Sequence, residues 1–307
     1  IKIYRKLSKI RKELQQNGKM ICRQGMADTP KAWIYYKESG HGVPILMLHG
    51  NAETHMIFDF YEKKLSANYR VILMDSRAHG RSRIKPGDAD AEFTTADMAK
   101  DAAALLDVLR IPSCILFGFS DGANIALEFA SLFPERTLSV IAVSGNITPD
   151  GLILPVRLFC IGKYYFYRIL STLFRTCFLS QKRPRRVGSP ASHPQKKGHA
   201  FADMVYSHVF RCQQLASLLC NSPLMTKEQL HAIQAPVLLL AGTRDLVKTS
   251  HSRLMARLIP RAQLVLVNGA THTSMFGRKQ FYLNVILDFL KGCPAAPFGC
   301  MAAKKDL

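Results

Sequence analysis

A serine between two glycines is the clearest chemical signal in this sequence. Ser120 lies at the centre of residues 118–122, Gly-Phe-Ser-Asp-Gly, with an apolar run before it and a helical pattern after it. A serine hydroxyl is a weak nucleophile, and it becomes effective when a sharp turn presents it to a histidine that can take its proton. The alternative is a glycine-rich turn that contains a serine by chance. The strand-to-helix context favours Ser120 as a nucleophile.

Two more ionisable residues follow apolar runs late in the chain. Asp245 comes after the run 236–241, and His272 comes after the run 263–267. Because the carboxyl ends of parallel strands meet at the same edge of a sheet, we expect Ser120, Asp245 and His272 to lie together. His272 would then act as the general base, and Asp245 would be the acid that orients it.

Both residues also have other interpretations. Asp245 suits the cap of a helix, and His272 suits an ordinary loop position. No acid directly follows the run 138–143, but Asp150 lies later in the same loop. Asp150 is therefore the alternative acid.

A turn after the run 43–48 indicates where an oxyanion would bind, since His49, Gly50 and Asn51 end that run. A developing oxyanion needs two fixed donors, and we expect the backbone N–H groups of Asn51 and Asp121 to supply them. The side chains of His49 and Asn51 are then structural. The Asp121 carboxylate is either a helix-start residue or a group that faces the pocket and pairs with a cationic part of the substrate.

These residues need a sheet to hold them, and the chain contains the strands for one. Short apolar runs, typical of buried parallel strands, occupy 43–48, 70–74, 114–119, 138–143, 236–241 and 263–267. Apolar residues at helical spacing fill 95–109 and 122–133. Strands that alternate with helices predict an α/β fold with a mostly parallel, doubly wound sheet.

The alternation stops after Asn146 and resumes near Pro236, which predicts an insertion after the sixth strand. Since the chain begins with Ile1, the basic segment at its start could be a non-native extension. The expected division is a basic N-terminal arm (1–25), an α/β core (26–146 and 235–292), a helical and basic lid (147–234) and a C-terminal tail (293–307).

The net charge of +20 is concentrated in two segments. Residues 1–25 contain eight Lys or Arg and one acid, and residues 151–202 contain ten Lys or Arg and no acid. The remainder of the chain is nearly neutral. We therefore expect these segments to make weak contact with an anionic membrane surface, and we expect no specific nucleic-acid partner.

The expected lid is aromatic as well as basic. Phe159, Tyr164, Tyr165 and Phe166 would line an acyl pocket beside the nucleophile, or they would form the packing core of the lid itself. A lid helix usually buries one face and offers another to the pocket, so both interpretations stay open.

The histidines and cysteines predict neither a metal site nor a cofactor. None of the ten His or eight Cys has zinc-site or redox-motif spacing, and no glycine-rich phosphate loop is present. The longest apolar stretch, 152–174, contains Arg157, Lys163 and Arg168, which argues against a membrane span. Since no signal-peptide pattern is present either, we expect a cytoplasmic protein.

Taken together, the motifs resemble the α/β-hydrolase fold family from about Trp33 to Leu290. Residues 75–82, Asp-Ser-Arg-Ala-His-Gly-Arg-Ser, are similar to the family's Asp-x-Arg-Gly-x-Gly-x-Ser turn, except that Ala78 stands where glycine is usual. The resemblance implies the chain order nucleophile, acid, base, which Ser120, Asp245 and His272 follow. The serine also separates this chain from dehalogenase relatives, which carry aspartate as the nucleophile.

The resemblance implies hydrolysis, typically of esters. We expect a serine hydrolase that cleaves a small carboxylic ester, with no cofactor, through an acyl-enzyme intermediate. Amide cleavage, as in aminopeptidase relatives, or aminoacyl-ester hydrolysis is the enzymatic alternative. From another class, a non-catalytic binding protein would keep the three residues and use its basic segments on anionic surfaces.

Overall fold

The computed structural model describes residues 22–86, 92–176 and 197–293, and in this part of the chain nine strands form one sheet. The strands are β1 (Cys22–Asp28), β2 (Ala32–Gly40), β3 (Val43–Leu48), β4 (Tyr69–Met74), β5 (Arg83–Ile84), β6 (Cys114–Phe119), β7 (Thr137–Val143), β8 (Val237–Gly242) and β9 (Ala262–Val267). Their order across the sheet is β1-β2-β4-β3-β6-β7-β8-β9, and β5 pairs with β2.

Six of these strands are the apolar runs that the sequence predicts. Strands β3, β4 and β6 to β9 pair in parallel, and their ends differ from the predicted ends by at most one residue. Strands β6 and β8 are buried at every position, as expected when helices cover both faces of a parallel sheet. The predicted mostly parallel α/β sheet is confirmed.

An antiparallel edge at the start of the chain was not predicted. Strands β1 and β2 form a hairpin in which Met26 lies opposite Tyr35, and β2 continues antiparallel onto β4. Strand β1 begins at Cys22, so the expected boundary of the basic arm at residue 25 falls inside a strand. Edge strands need only one buried face, so β1 lacks the continuous apolar run by which the central strands are identified.

Helices pack on both faces of the sheet. One face carries α2 (Thr95–Val108), α3 (Asp121–Leu132), α6 (Lys227–His231) and α7 (Thr249–Leu258), and the other carries α1 (Asp59–Leu65), α8 (Ser274–Gly277) and α9 (Lys279–Lys291). Each layer has its own apolar cluster. Phe129 and Leu106 lie in the first cluster, and Phe117 and Tyr61 lie in the second.

The predicted insertion contains two long helices between β7 and β8. They are α4 (Leu154–Phe174) and α5 (Lys197–Asn221), and they pack mainly against each other. Without the two-residue β5, six strands precede them. Their role as a lid stays a prediction. The residues between them, 177–196, and most of the basic arm, 1–21, lie outside the described part of the chain.

Across the described residues, no helix is both long and apolar enough to cross a membrane. Five cysteines in the same ranges are free thiols: Cys114, Cys160, Cys212, Cys220 and Cys293.

Candidate active site

Ser120 occupies a strained turn between β6 and α3. Its backbone has φ 53° and ψ −121°, a conformation that L-residues adopt only when the surroundings impose it. A Cβ atom at position 118 would approach the Gly122 carbonyl oxygen to 2.1 Å, and one at position 122 would approach the Leu48 carbonyl oxygen to 1.8 Å. Only glycine fits at both places, so the two glycines are what allow the serine to be presented here.

The structure brings Ser120, His272 and Asp245 together. His272 Nε2 lies 3.0 Å from Ser120 Oγ, and His272 Nδ1 lies 2.7 Å from Asp245 Oδ1. The ring of Phe119 packs against the imidazole, with 5.2 Å between ring centroids. The histidine is therefore held by a hydrogen bond on each nitrogen and by an aromatic side chain.

Asp245 is buried, and its second carboxylate oxygen is also bound. Ser144 Oγ donates to Asp245 Oδ2 over 2.6 Å. Burial by itself would raise the pKa of Asp245, but the hydrogen bonds from His272 and Ser144 and the interaction with His272 outweigh it, and the pKa lies below its usual value. Sequence reasoning did not identify Ser144, which directly follows β7 and contacts the acid.

The alternative acid lies elsewhere. Asp150 forms an ion pair with Arg157 at the solvent-exposed start of the insertion, and its backbone carbonyl accepts a hydrogen bond from Lys248 Nζ over 2.8 Å. No hydrogen bond joins Asp150 to His272 in the described structure. The geometry therefore favours Asp245 over Asp150.

The expected oxyanion donors lie on the turn after β3 and at the start of α3. Among the described residues, neither the N–H of Asn51 nor that of Asp121 donates to another protein atom, as an oxyanion site requires. The side chain of Asn51 donates to Asp121 Oδ2 over 3.0 Å and to the Leu215 carbonyl over 2.9 Å. One amide thus connects the β3 turn, the serine turn and α5.

The Asp121 carboxylate is buried behind the serine turn. Asn51 donates to one of its oxygens, and Asn124 Nδ2 lies 3.5 Å from the other. Burial raises the pKa of Asp121, and the hydrogen bond from Asn51 opposes that shift. This arrangement favours the helix-start interpretation over contact with a cationic substrate group.

Two buried histidines connect the turns that follow β3 and β4. His79 Nε2 accepts from the Ala52 N–H over 3.1 Å, and His49 Nε2 accepts from the Ser76 N–H over 3.0 Å. Burial lowers the pKa of His49 to about 4, and burial together with the proximity of His49 lowers that of His79 to about 3. Both rings therefore remain acceptors over a wide pH range.

These histidines predict a pH dependence of stability. The usual histidine pKa of 6.5 lies above both folded values, so between pH 6.5 and about 4 the unfolded chain binds more protons than the folded chain. Their contribution is complete above pH 6.5 and is lost as the pH falls toward the folded pKa values. Replacing His79→Gln should lower the slope of the unfolding free energy against pH by about 1.4 kcal/mol per pH unit between pH 4 and 5.5.

Urea unfolding at a series of pH values measures this slope. The variant His41→Gln, at an exposed histidine, is the control and should leave the slope unchanged. An equal slope in wild type and His79→Gln would contradict the buried, neutral histidine.

The family-like turn of residues 75–82 keeps its geometry despite the alanine. Asp75 accepts hydrogen bonds from the N–H groups of His55 and Arg81, both over 2.9 Å. Ala78 adopts the left-handed region with φ 61°, which a glycine would occupy without strain. The alanine at this position therefore adds backbone strain to the turn.

Glu53 lies close to the nucleophile, and motif reasoning did not single it out. Its carboxylate accepts from the Gly50 N–H over 2.9 Å, and burial raises its pKa. A Cβ atom at position 50 would come within 2.8 Å of this carboxylate and 3.1 Å of the Ser120 Cβ. A side chain at position 50 would therefore displace the Glu53 carboxylate and crowd Ser120.

The aromatic residues expected in an acyl pocket are mostly on the outside. Phe159 is 69% exposed, Tyr165 53% and Phe166 61%. The Tyr164 hydroxyl donates to Glu92 over 3.1 Å, and so do Gln213 over 3.1 Å and Ser217 over 2.8 Å. The acyl pocket therefore stays a prediction, and three of its four expected side chains are exposed in the described structure.

Comparison with known proteins identifies the family of this chain. Residues 43–278, about three quarters of the chain, match the sequence model of the alpha/beta hydrolase fold. The chain is 27% identical over 262 residues to a putative carbamate hydrolase, RutD of Azorhizobium caulinodans, and the alignment covers 83% of this chain and 94% of that protein. A shorter match to the proline iminopeptidase of Neisseria meningitidis is 31% identical over 113 residues and covers 35% of each protein.

Solved structures agree with the sequence match. The carboxylesterase CesB (YbfK) from Bacillus subtilis superposes with a TM-score of 0.64 at 18% identity, over 92% of this chain and 95% of that chain. At this identity the likeness shows the shared fold alone. With the family match over most of the sequence and the same fold in three dimensions, the chain belongs to the alpha/beta hydrolase fold family.

Proposed function

We propose that this chain is a serine hydrolase that cleaves a small carboxylic ester through an acyl-enzyme intermediate. The observation that carries the proposal is the continuous hydrogen-bonded path from Ser120 through His272 to the buried Asp245. Such a path converts a weak hydroxyl nucleophile into an effective one, because the base is already positioned to take its proton.

In the acylation step, Ser120 Oγ attacks the ester carbonyl carbon while His272 Nε2 takes the hydroxyl proton. The carbonyl oxygen becomes an oxyanion, which the N–H groups of Asn51 and Asp121 would stabilise. The intermediate then collapses: the bond to the leaving alcohol breaks, and His272 gives its proton to the alcohol oxygen. The acyl group stays on Ser120.

Deacylation repeats these steps with water. His272 takes a proton from the water as its oxygen attacks the acyl carbon, and then returns a proton to Ser120 Oγ as the carboxylic acid leaves. Asp245 fixes the ring so that Nδ1 carries the proton and Nε2 is the acceptor, and it stabilises the imidazolium in between. All the catalytic groups of the proposed mechanism belong to this chain, and the ester and water are the reactants.

We also propose that the insertion serves as a lid. Its helix α5 contacts the oxyanion turn directly, through the hydrogen bond between Asn51 and the Leu215 carbonyl. Glu92, which precedes α2, connects to both helices of the insertion through Tyr164, Gln213 and Ser217. A movement of α4 and α5 would therefore alter the support of the oxyanion turn.

Amide cleavage is the second candidate, since one partial match is a proline iminopeptidase. Amide carbonyls are less electrophilic than ester carbonyls, and amines are poorer leaving groups than alcohols, so we expect a kcat/KM higher by about 100-fold or more for a butyryl ester than for the butyryl amide of a matched leaving group. Paired alkyl esters and amides with the same acyl chain, tested by product analysis, measure this ratio. A ratio near one, or a preference for the amide, would replace the ester proposal by the amidase one.

A further inference from the structure

The outer face of α4 is apolar over its whole length. Leu154, Leu158, Tyr165, Ile169 and Leu173 are each between 53% and 61% exposed. With 3.6 residues per turn, these positions fall within about a third of the helix circumference and form one continuous stripe. Phe159 and Phe166 widen the stripe on one side. We call this set of seven side chains the α4 outer face.

The opposite side of α4 makes the intramolecular contacts. Cys160 and Ser171 are buried there, and Ser171 Oγ donates to Gln213 of α5 over 2.5 Å. Burial raises the pKa of the Cys160 thiol on this side of the helix. The described part of the chain therefore leaves the outer face open to solvent.

Cations border the outer face, and acids are missing from the helix. By helical spacing, Lys163 lies at one edge of the stripe and Arg168 and Arg175 lie at the other. Within residues 151–202 the sequence contains ten Lys or Arg and no Asp or Glu. An apolar stripe flanked by cations is the pattern of a helix that lies in the plane of a membrane surface.

We propose that the α4 outer face binds the surface of an anionic lipid bilayer, with the helix parallel to the membrane plane. The apolar side chains would enter the boundary between headgroups and acyl chains, and the flanking cations would contact anionic headgroups. A second copy of the same face is a poorer occupant, because dimerisation would bring two sets of like charges together. The aromatic residues that the sequence placed in an acyl pocket would in part face lipid.

Vesicle flotation tests the apolar contribution. The full chain is mixed with vesicles of phosphatidylcholine alone or with 30% phosphatidylserine. The triple variant Leu154→Ser, Leu158→Ser, Ile169→Ser should bind the anionic vesicles at least about 100-fold more weakly than wild type. The reason is that each aliphatic side chain removed from water contributes on the order of tenfold to the binding constant. The matched control Val108→Ser, Leu254→Ser, Phe281→Ser removes exposed apolar groups elsewhere and should stay within about threefold of wild type.

A second variant tests the charges. Replacing Lys163→Gln, Arg168→Gln and Arg175→Gln should weaken binding to the anionic vesicles by about 100-fold, since each cation near an anionic surface adds about fivefold, and should leave the weaker binding to neutral vesicles nearly unchanged. Binding that is equally strong on neutral and anionic vesicles would overturn the charge pairing.

Insertion depth gives a readout that does not depend on the serine variants. The chain has one tryptophan, so Leu158→Trp in a Trp33→Phe background reports on the outer face alone. Its emission should shift to the blue on anionic vesicles and be quenched by brominated acyl chains, whereas Val108→Trp in the same background should show neither effect. The absence of quenching at position 158 would overturn the proposal.

Two further outcomes would also overturn it. If the triple serine variant binds anionic vesicles as strongly as wild type, the attraction comes from other basic segments. If light scattering shows that wild type is a dimer and the serine variant is a monomer, with no vesicle binding by either, the face is an interface between copies. Vesicle binding is measured without ester turnover. A failure of the membrane proposal is therefore distinguishable from a failure of the proposed ester hydrolysis.

Discussion

Replacing Ser120→Ala is expected to lower kcat for a small ester by about five to six orders of magnitude and to abolish labelling by a fluorophosphonate probe. The variant keeps the turn but removes the hydroxyl oxygen that lies 3.0 Å from His272 Nε2. The remaining rate of ester hydrolysis should still exceed the uncatalysed rate in water, because the oxyanion donors and substrate binding still act. Ester assays and probe labelling, in protein whose folding is checked by circular dichroism, measure both effects.

Ser252→Ala is the matched control for this experiment. Ser252 is buried in α7, and its hydroxyl has no hydrogen-bond partner in the described structure, so its loss should change neither labelling nor turnover. Labelling that persists in folded Ser120→Ala would assign the nucleophile to another residue. A wild-type protein that is not labelled at all would favour the non-catalytic binding protein instead.

The second large effect is expected for Asp245→Asn, which should lower kcat by about four orders of magnitude. The asparagine amide would donate to His272 Nδ1, so the ring would carry its proton on Nε2, where it could no longer accept the proton of Ser120. The substitution preserves size, and Ser144 can still donate to the remaining oxygen. Steady-state kinetics at saturating ester separate this loss in kcat from any change in KM.

Asp150→Asn is the control, because Asp150 pairs with Arg157 at the surface. Turnover in this variant should stay within about threefold of wild type. His272→Ala should reduce kcat as much as Ser120→Ala, and the double variant should lose little more, since the two residues act as a unit. A larger loss in Asp150→Asn than in Asp245→Asn would reverse the assignment of the acid.

The central strands and the serine turn are predictable from the sequence, because each leaves a recognisable pattern in neighbouring residues. Strands β6 and β8, for example, are buried at every position, and a strand covered on both faces is apolar along its length. Gly118 is needed because its neighbours in the turn leave no room for a Cβ atom, whereas Gly122 is needed because the Leu48 carbonyl of β3 lies too close. The serine between them was therefore identifiable before the fold was known.

Other features depend on pairing across the chain, which local patterns do not encode. Strand β4 lies between β2 and β3, and the hairpin of β1 and β2 is stabilised by one buried face and by backbone pairing. The choice between Asp245 and Asp150 likewise required the distance to His272. Asp245 reaches His272 because Asp245 follows β8, which pairs with β9, and His272 lies in the loop after β9. Asp150 lies in a different loop and pairs with Arg157 instead.

Side-chain burial separated the remaining interpretations. Asp121 was a candidate for substrate contact from its place in the chain, yet the tertiary structure buries it against Asn51 and Asn124. Phe159 and Phe166 were candidates for a pocket, yet they lie on the outside of α4. Helical periodicity specifies which residues share a face, but the face that meets the protein is decided by how α4 packs on α5.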